Sequence, residues 1–214
     1  MTTQTTHKAD RKEGPRSKRA VILNAAIDNF GRDGFEHTKW ATIADEVGIG
    51  QTALYHYFES KAHCLLTIMT LELDRSLTQF REATDGVEDH VERMRAAVGS
   101  AYALTDREAL SARILVSHMD LLATVRPSQR EEDERQRARV LVRAIEDQWS
   151  ELIEGGISSG DFVARDARLT GLAILGLVIG VWRWYRPGGS RSLTDISDFT
   201  SAACVRLVGR DPTP

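Results

Sequence analysis

Apolar side chains recur along this chain at intervals of three and four, without sustained alternation, and that spacing predicts an all-α fold of about nine helices. Ile22, Leu23, Ala26, Ile27 and Phe30 make the first stripe, over residues 16 to 33, closed by Asp33 and Gly34. Trp40, Ile43, Ala44 and Val47 share one side of a short helix that Gly48 ends, because glycine accepts the positive φ of a helix terminus. A helix of about two turns follows, with Leu54 and Phe58 inward. Ser60 is a natural N-cap for the next helix, whose Leu66, Met69, Leu73, Leu77 and Phe80 repeat up to a break around Thr84, Asp85 and Gly86. Val87, Val91, Met94, Val98, Ala101 and Tyr102 form another stripe; Leu110, Ile114, Leu115, His118, Met119 and Leu122 form the one after it, ending before Pro127. A long helix starts at Ser128, where Glu131 completes a capping-box pattern, and is expected to stop at Gly155 and Gly156. Leu141, Ile145, Trp149 and Leu152 are its apolar face, and the charge-rich stretch 130–139 reads as a solvated first half. Residues 167–185 are apolar nearly all round, and a last helix from Ser192 to Val208 carries Ile196, Phe199, Ala203 and Leu207.

The two short helices between Thr38 and Phe58, joined by a glycine turn, read as a helix-turn-helix, whose second helix enters the DNA major groove. The expected DNA contacts are Gln51, Thr52, Tyr55, His56 and Tyr57, with Lys61 just beyond and Thr38 and Lys39 at the start of the preceding helix. The Gln51 amide suits an adenine edge. Tyr55, Tyr57 and Lys61 suit phosphates, which hold position without reading sequence. Tyr57 reads equally well as a packed aromatic, and Phe58 reads as one outright. The run Thr38, Ile43, Ala44, Gly48, Leu54, Tyr55, His56, Tyr57, Phe58, Ser60, Lys61 resembles the signature of TetR-family transcriptional regulators. The resemblance implies a DNA-binding domain over residues 16–61, a ligand-binding and dimerisation domain over 62–209, and a repressor that a small molecule releases from its operator. Two positions depart from the family pattern. Ala41 stands where members commonly carry Arg or another polar residue, and Ala53 stands where a phosphate-binding Thr or Ser usually precedes the leucine, leaving that role to Thr52.

A net charge of −3 over 214 residues gives no whole-chain attraction to DNA, so any nucleic-acid surface has to be local. Lys8, Arg11, Lys12, Arg16, Lys18 and Arg19, against only Asp10 and Glu13, make the N-terminus a basic segment able to follow phosphates. Residues 1–15 and 210–214 are expected to be disordered. Cys64 and Cys204 are far apart with no metal-type spacing, the N-terminus lacks an apolar secretory stretch, and the expected location is the cytoplasm. The uncharged segment 169–182 is shorter than the roughly 20 residues needed to cross a bilayer. His56, His63 and Cys64 are close in sequence, but His56 belongs to the outer face of the recognition helix, so no metal or other cofactor is expected. No phosphate loop, nucleophile elbow or HExxH pattern points to an enzyme.

An effector pocket is expected between the helices that start near Ser60, Val87, Arg107 and Ser128, with Met94, Tyr102, His118, Met119 and Trp149 as candidates: each is large, adaptable or polar on an apolar stripe. A helix apolar on every side needs cover on every side. A second copy of the chain is the expected cover, through Leu172, Leu175, Gly176, Ile179, Trp182, Phe199 and Ala203, with Gly171, Gly176 and Gly180 allowing close approach. GGISSGDF at 155–162 and WRWYRPGGS at 182–190 resemble a TetR subgroup frequent in actinobacteria, whose members repress lipid, steroid or fatty-acid degradation genes and respond to coenzyme A thioesters. The expected partners are therefore a palindromic operator, a small hydrophobic effector of that type and a second copy of the chain, with no membrane. The alternatives are an activator or ligand-independent DNA-binding module, and a helical enzyme with a vestigial DNA-binding domain.

Overall fold

A computed structural model of the chain describes residues 15–163 and 166–209. Nine α-helices account for most of them: α1 (Pro15–Asp33), α2 (Trp40–Val47), α3 (Gln51–Tyr57), α4 (Lys61–Thr84), α5 (His90–Ser100), α6 (Asp106–Ser117), α7 (Gln129–Ser159), α8 (Ala167–Gly180) and α9 (Leu193–Val208). Short 3-10 turns, Met119–Leu122 and Val181–Arg183, follow α6 and α8. Among the described residues there is no β-strand. The expectations placed on Lys8, Arg11 and Lys12 fall outside the described residues, as does the 210–214 tail.

Two apolar clusters organise the packing. The first gathers Ile22, Phe30, Ile43, Leu54 and Phe58 around Leu65, Leu66 and Met69 of α4, and it takes in Ile114, Leu122 and Ala138 from further along. The second is built by Phe80, Met94, Trp149, Ile153, Ile174, Val178, Trp182 and Ile196. Helix α4 contributes Leu73 to the first cluster and Phe80 to the second, so a single rigid element joins them. Glycine sets two of the close approaches. A Cβ on Gly31 of α1 would fall within 2.5 Å of the Leu110 side chain of α6, and one on Gly171 of α8 would lie 3.1 Å from the backbone of Ser150 in α7. Gly171 therefore serves packing inside the chain, unlike Gly176 and Gly180, whose added Cβ atoms would meet nothing within 4 Å.

Helix α7 departs from its expected layout at both ends. It runs through Gly155 and Gly156 and stops at Gly160, whose φ of 82° is left-handed. Gly156 is there for room, since a Cβ would sit 2.1 Å from the Phe162 ring. The charge-rich first half is not solvated throughout: Glu131, Glu134 and Arg135 are buried, Arg135 with only 1% exposure, while Arg130, Asp133, Arg137 and Arg139 face water. Burial is tolerated because every charge is paired. Arg135 donates to both carboxylate oxygens of Glu132 at 2.8 and 2.6 Å and to the Leu122 carbonyl at 2.8 Å. The Ser128 cap forms, but Glu131 does not reach back to complete the box; its carboxylate accepts from Ser60 Oγ at 2.5 Å and from Arg126 at 3.0 Å. Ser128 in turn donates to Glu59. The start of α7 is thus tied to the start of α4, beside the helix-turn-helix.

The bonds from Arg135, the Arg126 backbone N–H and Gln136 hold the Glu132 carboxyl down at about 2. A carboxyl depressed in the folded chain stabilises it above the unfolded value near ~4.3, and that contribution disappears as pH falls through about 2. Glu132→Gln is accordingly expected to lower the urea midpoint at pH 7, with the difference from the parent chain narrowing steadily between pH 4 and pH 2.

Candidate DNA-binding face and internal cavity

Helix α2 ends because Gly48 turns left-handed at φ 69°, and the Gly48 and Ile49 N–H groups close back on the Asp45 and Ala44 carbonyls. That turn swings α3 outward. Leu54, with the Phe58 that caps the helix, is buried in the first cluster; Gln51, Thr52, Tyr55 and His56 are exposed and Tyr57 is half-buried. Neither α2 nor α3 is capped by the side chain of its N-cap residue, so among the described residues first-turn N–H groups are left for an outside acceptor. An open groove of about 560 Å³ runs between the two helix starts, lined by Lys39, Trp40, Gln51, Tyr55 and Lys61. The Trp40 indole N–H is the buried side-chain donor with no partner among the described residues.

Two of the expected contacts, Thr38 and Lys61, line that groove and are also bonded within the fold. Thr38 is turned inward with 4% exposure, its hydroxyl donating to the Gly34 carbonyl at 2.8 Å and to the Asn29 carbonyl at 3.3 Å, since a buried hydroxyl requires an acceptor. The Lys61 ammonium donates to the carbonyls of Phe35, Glu36 and Thr38 at 2.6, 3.3 and 3.0 Å, and lies 4.4 Å from the Phe35 ring centre. Lys18 donates to the Val47 carbonyl at the end of α2, and the Arg19 guanidinium stacks 4.7 Å above the Phe58 ring. These cations brace the helix-turn-helix. Lys61→Ala is expected to cost about 2 kcal/mol of stability, from charged hydrogen bonds lost in one place, as a fall in the urea unfolding midpoint would show.

The internal cavity, about 130 Å³, lies among α4, α5, α6, α7 and α8. Trp149 and Met119 line it, together with Leu175, Ile179 and Trp182, three residues that the sequence placed at a subunit interface. Trp182 is buried in its own chain against Tyr102 and Tyr185, so it does not present a face to a second copy. Met94, Tyr102 and His118 fall outside the cavity lining. Met94 is plain core at 0% exposure. The Tyr102 hydroxyl donates to the Val178 carbonyl at 2.9 Å, and burial pushes the phenol up to about 12. His118 sits at the end of α6, with Nδ1 2.8 Å from the Ile114 carbonyl and its ring edge-on to Phe35.

The polar part of the cavity comes from residues that the stripe pattern did not single out. Glu72, Arg75 and Gln79 line it from α4 at positions i, i+3 and i+7. Arg75 bonds both oxygens of Glu72, through Nε at 3.2 Å, and reaches Gln79 Oε1 at 2.5 Å. Burial pushes the Glu72 carboxyl above its ordinary range despite that partner. Three polar residues about one turn apart, running from just before Leu73 to just before Phe80, were the available signal.

Cys64 and Cys204 are buried free thiols, both pushed up by burial, and His63 is buried with its ring edge-on to Phe58. Among the described residues no group of three His, Cys, Asp or Glu is placed to hold a metal, and no helix is long and apolar enough to cross a membrane. On the outside, Leu169, Leu172, Leu177 and Ile179 of α8, Trp184, and Phe199 and Leu207 of α9 are exposed, with Gly176 among them and Ala203 half-buried.

A glycine-turned helix pair that presents polar side chains on a free second helix, carried by an all-helical body with an internal apolar cavity, defines a helix-turn-helix DNA-binding regulator. The chain belongs to the TetR family: residues 22–68 match the family model described as bacterial regulatory proteins, tetR family, and residues 87–208 match tetracyclin repressor-like, C-terminal domain. It is 28% identical over 193 residues to the HTH-type transcriptional repressor KstR2 of Rhodococcus jostii (strain RHA1), covering 88% of this chain and 90% of that one. The ketosteroid transcriptional regulator KstR2 of Mycobacterium tuberculosis shares the fold with a TM-score of 0.74 at 23% identity, over 92% of this chain and 98% of that one. AibR, solved in complex with isovaleryl coenzyme A and operator DNA, shares it with a TM-score of 0.73 at 21% identity, over 87% and 97%.

Proposed function

We propose that the protein is a homodimeric repressor that reads a palindromic operator with α3 and leaves it when a small apolar effector enters the cavity. The observation that carries the reading is the outer face of α3, where Gln51, Thr52, Tyr55 and His56 project, exposed and with none of the described residues covering them. Gln51 is suited to a base edge, Tyr55 and Thr52 to phosphates, and the uncapped starts of α2 and α3 supply further N–H donors to phosphate oxygens. Lys39, exposed beside the same groove, adds a mobile cation. The exposed apolar positions on α8 and α9 support pairing of two copies there, with recognition helices set roughly 34 Å apart, one helical turn of DNA.

Repression, rather than activation, is favoured by the similarity to a repressor over most of both chains. The effector is an acyl group carried as a coenzyme A thioester: the cavity is largely apolar, and AibR, which shares the fold, is solved with such a compound. The test is a mobility shift with the DNA upstream of the protein's own gene, repeated with acyl-coenzyme A compounds of increasing length. Binding to a palindrome that a thioester abolishes is expected; retention of the DNA with every compound would leave a ligand-independent module.

A further inference from the structure

The cavity is close in size to one of about 150 Å³ that accommodates a single benzene ring. Only the end of an effector fits inside. Arg75, the cation in its wall, is already committed to Glu72 and Gln79, so the cavity offers no unclaimed positive group to an anion. Immediately outside, Arg139 and Arg143 of α7 and Arg168 at the start of α8 line a groove of about 410 Å³, with Glu146 as its acidic member. Met119 and Val142 line both the groove and the cavity, so the two spaces share a wall built partly by a flexible, part-exposed methionine. Arg168 is held by Glu146 at 3.5 Å and Asp147 at 3.3 Å. Arg139 and Arg143, one turn apart and exposed, form no ion pair among the described residues.

We infer that this arginine groove seats the phosphate-bearing carrier of the effector, while its short acyl end passes Met119 into the cavity. The inference rests on the proposed acyl-thioester reading and adds the site that would recognise the charged part. Arginine suits that part because its planar fork pairs with phosphate oxygens. On this arrangement the acyl end alone is bound through apolar contact, and most of the affinity and all of its salt dependence arise at Arg139 and Arg143.

The test is calorimetric titration with isovaleryl coenzyme A and with the isovaleryl thioester of N-acetylcysteamine, which keeps the acyl end and lacks every phosphate. Arg139→Glu with Arg143→Glu is expected to weaken the coenzyme A ester by roughly tenfold or more and to flatten its salt dependence. The same variant should bind the truncated ester, melt and hold operator DNA without ligand as the parent chain does. Arg139→Gln with Arg143→Gln should lose less in the same direction. Equal affinity of parent and variants for the coenzyme A ester overturns the inference, as does a parent chain that binds both esters equally, or a variant that loses the operator without any ligand. If the parent ignores both esters but an uncharged apolar compound releases it from DNA, the arginine site is wrong and the regulated repressor stands. If no compound releases it, both are wrong.

Discussion

Replacing Gln51 and Tyr55 together by alanine is expected to weaken operator binding by about a hundredfold or more while leaving the fold untouched. Each good base or phosphate contact contributes about 1 to 3 kcal/mol, and two of them lost together reach that factor. The fold is spared because both side chains are exposed, whereas the first cluster takes Leu54 and Phe58 from this stretch with Tyr57 packed against it. Alanine is also the best helix former, so α3 keeps its shape. A mobility-shift titration paired with a urea melt checks both halves. A double variant that shifts DNA as tightly as the parent would show that α3 is not the reading element.

The second large effect is expected at the other end of the molecule. Leu177→Asp combined with Phe199→Asp should leave a folded single chain that no longer holds the operator at nanomolar concentration, again by about two orders of magnitude. Leu177 is 46% and Phe199 73% exposed, and both border a groove with Gly176, Gly180 and Trp184. A charge there costs the lone chain little, because the position faces water, and costs a paired chain a great deal, because two carboxylates would be trapped between copies. Sedimentation equilibrium reads the mass directly. If the variant still sediments as a dimer, the pairing surface lies elsewhere.

These two expectations differ in how much the chain's residues alone disclosed. The helix-turn-helix was legible because local rules decide it: four apolar residues on one side of α2, a glycine in the left-handed region, and a serine that caps α4. The face of α3 followed from the same geometry. What the pattern did not disclose was set by backbone carbonyls of other segments. Thr38 looks like a surface threonine until the Asn29 and Gly34 carbonyls are brought over it. Lys61 reads as a phosphate ligand, and its bonds to the Phe35 and Thr38 carbonyls were not part of that reading.

The same holds in the body. Residues 130–139 read as solvated because charge is usually a sign of water, yet Glu131 and Arg135 are buried by pairing with Ser60, Arg126, Glu132 and the Leu122 carbonyl, none of which periodicity can reveal. Gly155 and Gly156 read as a stop because glycine often ends helices; the nearby Phe162 ring, packed onto Gly156, is a fact of three dimensions. The cavity residues divide along similar lines. Trp149 and Met119 could be found from their stripes, whereas Met94 and Tyr102 could not be told from them, since an apolar stripe has the same spacing whether or not a void lies beneath it. Trp182 was assigned to an outer seam because the segment is apolar on all sides, and an all-round apolar helix does not say which side turns inward; Leu175 and Ile179 reach the cavity, Ile179 while still partly exposed.

The link between Ser60 and Glu131 narrows the chemistry allowed at the first of these positions. Ser60 Oγ accepts from the His63 N–H at 2.9 Å and simultaneously gives its only proton to the Glu131 carboxylate. Aspartate caps helices as well as serine does in general, but it has no proton to give and would set one anion against another in a part-buried spot. Threonine keeps both functions and alanine discards both. The residue that caps the connecting helix is thus held to side chains that accept and donate at once, a demand made by a glutamate 71 positions away.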